Sequence, residues 1–336
     1  CDYVFYPGCQ LGASHPDHVL QVYEALASTY DIGIQLGCCG APAYWAGDDA
    51  RVEANLAEIG STWVSLGRPT MVFACATCSL LLGKFLPDIP RVSVYELLAG
   101  CDDLQLASPF AEVAVFDPCA ARDDTGMETA VRQLARKAGV DVGELTEKNR
   151  CCGHGGHIRL ANPDLYEEIT RNRAEADDRP YLVYCANCRE VFASREKDCT
   201  HILDLVVASE ANRPIPTLEE KRQNSIMVKR ELMKETQGTD FEPEQHEWDD
   251  LTLIISADLQ AEMERKLISV SDVKETIYSA EKSGETFIAE DSDRRLGSLT
   301  RPILTYWVEY RQVGPDTYEV LSVYCHRMRI EREAQP

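Results

Sequence analysis

Short apolar runs punctuate this chain at 3–6, 70–73, 113–116 and 181–184, each rich in β-branched and aromatic residues and each closely followed by a cysteine. Runs of that length and make-up predict buried β-strands. Between them, residues 17–30, 48–66, 125–138 and 162–177 repeat their apolar positions at helical spacing and predict amphipathic helices. The alternation predicts an α/β fold, an open and mostly parallel sheet with flanking helices. Such sheets bind ligands beyond the carboxyl ends of their strands, which is where Cys9, Cys75, Cys119 and Cys185 fall.

The pattern occurs twice. Cys9, Cys38, Cys39, Cys75 and Cys78 are answered by Cys119, Cys151, Cys152, Cys185 and Cys188, at offsets of 110, 113, 113, 110 and 110 residues. The surroundings repeat too: VFYPGC at 4–9 with VFDPC at 115–119, CCG at 38–40 with CCG at 151–153, and VFACATC at 72–78 with VYCANC at 183–188. RVSVYELLAG at 91–100 stands where CTHILDLVVA stands at 199–208. A duplicated unit of about 100 residues explains this, giving tandem domains at 1–108 and 109–216.

From 217 the texture changes. A charged helical linker, 217–247, offers Ile226, Met227 and Leu232 for packing and ends in a polar Gly- and Pro-containing stretch at 238–247. Beyond it, 248–336 predicts a small α+β accessory or docking domain. Its elements are a strand at 251–255, helices at 258–267 and 271–283, and a hairpin of ILTYWVEYRQV and YEVLSVYCHRMRI joined through Gly314, Pro315 and Asp316.

Composition narrows the function classes. The 336 residues carry 34 Lys and Arg against 56 Asp and Glu, a net charge of −22, which disfavours a polyphosphate partner such as nucleic acid. No apolar stretch approaches the roughly 20 residues of a membrane helix, and no signal-peptide pattern opens the chain. The expectation is a cytoplasmic protein without a membrane span. The first residue is Cys1, not Met.

Five thiols per unit admit three chemistries. Adjacent half-cystines such as Cys38 and Cys39 pair poorly with each other, and a disulfide framework belongs to exported chains. Tetrahedral zinc takes four ligands and leaves one thiol over. An iron–sulfur cluster suits soft thiolates converging from a CxxC turn, an adjacent pair and a lone cysteine. A cubane needs four, so spacing leaves open whether the fifth is spare or marks an unusual cluster.

Cys9, Cys38-Cys39-Gly40 and Cys75-Ala-Thr-Cys78, repeated as Cys119, Cys151-Cys152-Gly153 and Cys185-Ala-Asn-Cys188, resemble the cysteine-rich CCG domain family over roughly residues 1–216. That family includes the B subunit of heterodisulfide reductase and related subunits of thiol-fumarate reductase, glycerol-3-phosphate dehydrogenase and lactate-oxidising systems. The resemblance implies two non-cubane [4Fe-4S] clusters, each held by one set of five cysteines, with a disulfide cleaved between them. It also implies a ferredoxin-type iron–sulfur subunit and a flavoprotein subunit as partners. The implied function is an oxidoreductase subunit exchanging electrons with a disulfide/dithiol couple or similar small redox metabolite. The alternatives are an electron relay toward quinone and a zinc-stabilised scaffold.

Residues beside the cysteines add candidates. Arg122 follows Cys119 by three, Arg150 precedes Cys151, and Arg189 follows Cys188, whereas residues 1–108 hold only Arg51, Arg68, Lys84 and Arg91. Positive charge there stabilises a reduced cluster or an anionic substrate, so Arg122 and Arg189 are candidate anion-binding residues. His154, in CCGHGGHIR, is the candidate proton donor, with His157 farther off. Cys101 and Cys199 lack counterparts and read as core thiols. Cys325 and His326 point to opposite faces of a strand, and Tyr306, Trp307 and Tyr310 read as hairpin packing.

Overall fold

The computed structural model describes residues 1–148, 150–288, 292–301 and 304–326. The first half runs β1 (Tyr3–Tyr6), α1 (Cys9–Ser14), α2 (Asp17–Ala27), β2 (Ile32–Ile34), α3 (Ala41–Ala46), α4 (Asp49–Ser65), β3 (Thr70–Phe73), α5 (Ala76–Phe85), β4 (Arg91–Ser93) and α6 (Val94–Ala99). The second runs β5 (Glu112–Phe116), a 3-10 turn at Cys119–Ala121, α7 (Thr125–Lys137), β6 (Asp141–Glu144), α8 (Ile158–Ala161), α9 (Pro163–Ala174), β7 (Tyr181–Val183), α10 (Ala186–Ala193), β8 (Cys199–His201) and a 3-10 turn at Ile202–Leu205. Each half is a four-stranded parallel sheet, and the orders match: β2-β1-β3-β4 and β6-β5-β7-β8. The predicted tandem α/β sheets are therefore present. The short edge strands β2, β4, β6 and β8 carry too few apolar residues to stand out in the sequence.

Strand alternation divides the core. Phe5, Val72, Val113, Val115 and Leu182 belong to one shared hydrophobic cluster drawn from both halves. Their neighbours point the other way. Val4, Tyr6, Met71 and Phe73 fill a core private to the first half, and Ala114, Phe116, Tyr181 and Val183 one private to the second. Helix α7 lays Met127, Ala130, Val131, Leu134 and Ala135 into the shared core at spacings of three and four. Each such large apolar side chain stabilises by roughly 1.5–3 kcal/mol on burial.

Helix α11 (Leu218–Gln237) completes that core with Val228 and Leu232. Gly12 admits Val228, since a Cβ there would stand 3.1 Å from Val228 Cγ2. Of the residues expected to pack, Leu232 does, Ile226 is half-buried and Met227 is 47% exposed. The packed stripe runs Asn224, Val228, Leu232, four residues apart, and Met227 lies about a quarter turn away from it.

The chain forms two compact units, 1–216 with 221–241, and 217–220 with 242–336. The second unit carries β9 (Thr252–Ile255), α12 (Ala257–Lys266), α13 (Val270–Ser283), β10 (Thr286–Ile288), β11 (Arg295–Thr300), β12 (Thr305–Gly314) and β13 (Thr317–His326). Its sheet, ordered β10-β11-β12-β13-β9, is antiparallel except that β9 runs parallel to β13. The predicted hairpin is β12–β13. Ile303 and residues 327–330 of that expectation lie outside the described residues. Trp307 and Tyr310 are buried in this unit, and the Tyr310 hydroxyl donates to Glu281 at 2.6 Å.

One buried ion network ties the second sheet to its helix. Arg132 donates to both oxygens of buried Asp117, at 3.0 and 2.8 Å, and to both of Glu144, at 2.6 and 2.7 Å. Tyr184, just before Cys185, donates to Asp117 at 2.6 Å. Hydrogen bonds from Arg132 and then Lys148 draw the Glu144 pKa down from 4.5 to about 2. Replacing Arg132 by Met leaves the buried Asp117 carboxylate without its cation, so unfolding in urea is expected to show a loss of about 3–5 kcal/mol. Because Glu144 is depressed in the folded state, its stabilisation is complete above about pH 4.5 and fades as pH falls toward 2. A melting-temperature titration should show that slope shrink in Arg132→Met.

Candidate metal centre

Each half delivers its sulfurs by the same devices. β1 ends at Tyr6, and Pro7-Gly8 turns the chain so that Cys9 opens α1. Gly8 has φ +77°, and a Cβ there would stand 3.0 Å from Cys78 Sγ. Only glycine combines that backbone with that closeness to sulfur. Cys75 is the extended residue before α5, and Cys78 lies on the first helical turn; Cys185 and Cys188 repeat this at α10. The adjacent pairs follow β2 and β6, each succeeded by a glycine of positive φ, Gly40 at +83° and Gly153 at +100°.

The sulfurs form two chains of the same order. Cys9 Sγ lies 3.5 Å from Cys38 Sγ, and Cys38 with Cys39, Cys39 with Cys78, and Cys78 with Cys75 are neighbours that shift one another's pKa. In the second half Cys119 meets Cys151, Cys151 meets Cys152, Cys152 lies 3.2 Å from Cys188, and Cys188 meets Cys185. Thiol donors and backbone N–H groups favour the thiolate at the second sulfur of each chain, Cys38 and Cys151. Cys38, bonded by Cys39, Cys9 and the Gly40 N–H, lies far below a free thiol, as does Cys151, bonded by Cys119, Cys152 and the Gly153 and Gly155 N–H groups. Cys75 is lowered to about 7, chiefly by Cys78. Hydrogen bonding to Cys38 and Cys151 raises Cys9 and Cys119, which give up their protons less readily.

The donor set fits an iron–sulfur cluster. All 14 cysteines are free thiols. Ten of them converge with N–H donors of the kind that stabilise cluster sulfur. Among the described residues the trio whose ligand atoms all lie within 4.8 Å of one another is His15, His18 and Asp204. Cys9, Cys119 and Cys151 are exposed, whereas Cys39, Cys78, Cys152 and Cys188 are buried. Each set therefore runs from core to solvent.

The contacts between the two halves are reciprocal: helix α5 packs on the Cys119 turn, and α10 packs on α1 in the equivalent way. The buried Tyr95 hydroxyl lies 2.8 Å from the carbonyl of Ala74 and 3.2 Å from that of Tyr184, the residues before Cys75 and Cys185. Beside them His157 Nε2 lies 3.0 Å from the Pro42 carbonyl, and its ring meets Trp45 edge-on. Sequence reading missed Tyr95, whose counterpart in the duplication is Leu203. Only that departure from the repeat marks it.

His154 stands beside the second set, its backbone N–H directed to Cys152 and its imidazole exposed at the surface, with protein crowding that lowers its pKa from 6.5. Arg122 is exposed at the end of the Cys119 turn. Arg189 is placed elsewhere. Its guanidinium is fully buried and donates to the backbone carbonyls of Arg213 and Pro214, so it tethers the 213–214 segment instead of meeting an anion at the sulfurs. Introducing a side chain with Gly8→Ala is expected to strain the backbone and push on Cys78. Iron bound after anaerobic reconstitution should fall by about half, since the second set is untouched.

Among the described residues no helix is long and apolar enough to cross a membrane. The CCG cysteine-rich domain model matches residues 3–83 and again 113–192. The B subunit of the fumarate reductase (CoM/CoB) of Methanothermobacter marburgensis is 26% identical over 180 residues, 51% of this chain and 36% of that one. Lactate utilization protein A of Oceanobacillus iheyensis is 22% identical over 176 residues, 47% of this chain and 71% of that one. The D subunit of the dihydromethanophenazine:CoB–CoM heterodisulfide reductase of Methanosarcina barkeri is 26% identical over 198 residues, 52% of this chain and 48% of that one. The matches thus span 36% to 71% of these proteins. With both cysteine sets lying inside or at the edge of the two matched stretches, the chain belongs to the CCG cysteine-rich domain family, related to the B subunit of heterodisulfide reductase and similar iron–sulfur oxidoreductase subunits.

Proposed function

We propose that the chain holds two non-cubane [4Fe-4S] clusters, one on each set of five cysteines, and exchanges electrons with a disulfide/dithiol couple or a comparable small redox metabolite. The observation that carries this reading is the presence of two like-ordered groups of five cysteines, each with an exposed member, whose CxxC loops are tied together at the Tyr95 hydroxyl. Bound there, iron–sulfur clusters supply one electron apiece. Reducing a disulfide to two thiols consumes two electrons and two protons, so a pair of one-electron centres matches the demand.

The chain's own residues would do the rest. Cys9, Cys38, Cys39, Cys75 and Cys78 hold one cluster, and Cys119, Cys151, Cys152, Cys185 and Cys188 the other. N–H groups of Gly40, Gly153 and Gly155 offset the negative charge gathered on sulfur. His154 delivers a proton at the solvent-facing end of the second set, and Arg122 receives a carboxylate of the substrate. Electrons reach the clusters from a ferredoxin-type subunit and a flavoprotein of a larger complex, with residues 248–336 as an accessory or docking domain. A small redox substrate needs solvent access, which favours catalysis over passive relay.

Anaerobically purified protein is expected to contain about eight iron atoms and as many sulfides per chain. Its electron paramagnetic resonance spectrum should change when a thiol is added, as direct substrate contact would require; an unchanged spectrum points to relay alone, and zinc in place of iron ends the proposal. Cys152→Ser should lose about half the iron with the first-half signal intact. His154→Gln should keep iron and spectrum yet slow disulfide turnover about a hundredfold; an unaltered rate removes His154 from the reaction.

A further inference from the structure

The duplication supplies a template for interpreting an open cleft. A space of about 550 Å³ lies between α5, β4 and α6 of the first half and the start of α7 in the second, walled by Ser79, Leu80, Arg91, Glu96, Asp123 and Thr125. It reaches Ala76 and Ala120, the residues directly after Cys75 and Cys119. The equivalent place in the other half lies between α10, β8 and α1, and there the chain's own residues 209–216, with Lys221 and Asn224 of α11, are seated. The two walls correspond closely. Ser93 with Glu96, and His201 with Asp204, form the same reciprocal cap at the same point of each repeat.

Six anchors hold the seated segment. Ser209 meets His15, Asn212 accepts from the Cys199 N–H, and Arg213 donates to both oxygens of Asp204 at 2.8 and 2.9 Å. Arg189 donates to the carbonyls of Arg213 and Pro214, Lys221 to Glu190, and Asn224 to the Ala13 carbonyl. In the duplication His15, Cys199, Asp204, Arg189, Glu190 and Ala13 correspond to Thr125, Arg91, Glu96, Ser79, Leu80 and Asp123. Those six are the walls of the open cleft.

The difference lies in charge. Asp204 Oδ2 serves the cap and also accepts from Arg213, while Oδ1 takes the same guanidinium and His18. Glu96 Oε2 likewise takes the Ser93 N–H and hydroxyl, at 3.0 and 2.7 Å. Its Oε1 faces Gly126, whose missing side chain leaves the space open. Arg91 and Lys84 add two cations to the same walls, and Lys84 is engaged by the Tyr44 hydroxyl and ring and by the Phe85 ring, not by a carboxylate.

We propose that this cleft receives an extended segment of a partner protein, seated as 209–216 is seated in the other half. An arginine of the segment meets Glu96 Oε1, and its backbone carbonyls or acidic side chains meet Arg91 and Lys84. The partner then lies beside the cysteine loops of both halves. The proposal rests on the duplication and holds whatever metal the cysteines bind.

The test is fluorescence anisotropy of the full chain with a labelled peptide of residues 207–216, VASEANRPIP. Saturable binding is expected, weakened about tenfold when the peptide carries Arg213→Ala and about tenfold by Glu96→Gln in the protein, as loss of one charge-assisted hydrogen-bonded pair dictates. Leu80 is 56% exposed, so Leu80→Arg should fold normally by circular dichroism while obstructing the cleft and reducing binding. Absence of saturation up to about 1 mM, or an affinity indifferent to both Leu80→Arg and the peptide's Arg213→Ala, overturns the proposal.

Discussion

Gathering ten thiols into two solvent-touching groups sets thiolate against thiolate, and that repulsion is the constraint on which the structure depends. The fold meets it with rigid strand ends and backbone N–H donors. Cys75 and Cys185 are fixed as the last extended residues before helices, so the CxxC sulfurs cannot swing apart. Gly40, Gly153 and Gly155 supply N–H groups to Cys38 and Cys151, the sulfurs that carry charge first. Packing does the remainder. Cys39, Cys78, Cys152 and Cys188 belong to the private cores of their halves, so hydrophobic burial holds four of the ten in place.

Duplication explains why there are two groups, and the shared core holds the two halves together. Apolar residues on one face of β1, β3, β5 and β7 enter one common cluster. The halves cannot separate without exposing it. Between them lies Tyr95, a side chain that belongs to one copy and hydrogen-bonds both. The copies differ in charge. The second half carries the Arg132–Asp117–Tyr184 network, and its outer groove is taken by the chain's own Arg213 segment, while the groove of the first half is open.

The second unit is built on different principles. Its antiparallel strands are joined by a tight turn, with Asp316 in the left-handed region, and its core is closed by α12 and α13 on the sheet. The local signals there are strong because hairpin pairing is sequence-near, and the predicted elements at 251–255, 258–267 and 271–283 correspond to β9, α12 and α13 within one residue or so. The strands β10 and β11 leave little trace in the sequence pattern; they carry few alternating apolar positions and owe their place to pairing with β12.

By itself the sequence determined the tandem α/β architecture, the long helices and the matched cysteine sets, because apolar periodicity and repeated spacing act locally and survive without coordinates. It misplaced what depends on direction. Arg189 neighbours Cys188 along the chain, yet one helical step turns its guanidinium into the protein, onto carbonyls of residues 213 and 214. Met227 is as apolar as Val228, yet the helix presents only Val228 and Leu232 to the shared core. Tyr95 touching both halves, and Glu96 facing an open cleft where Asp204 meets an arginine, were decided by tertiary packing alone. Such contacts join different elements of the fold, in the case of Tyr95 and Tyr184 residues 89 positions apart, and no local pattern encodes which surfaces the folded halves will bring together.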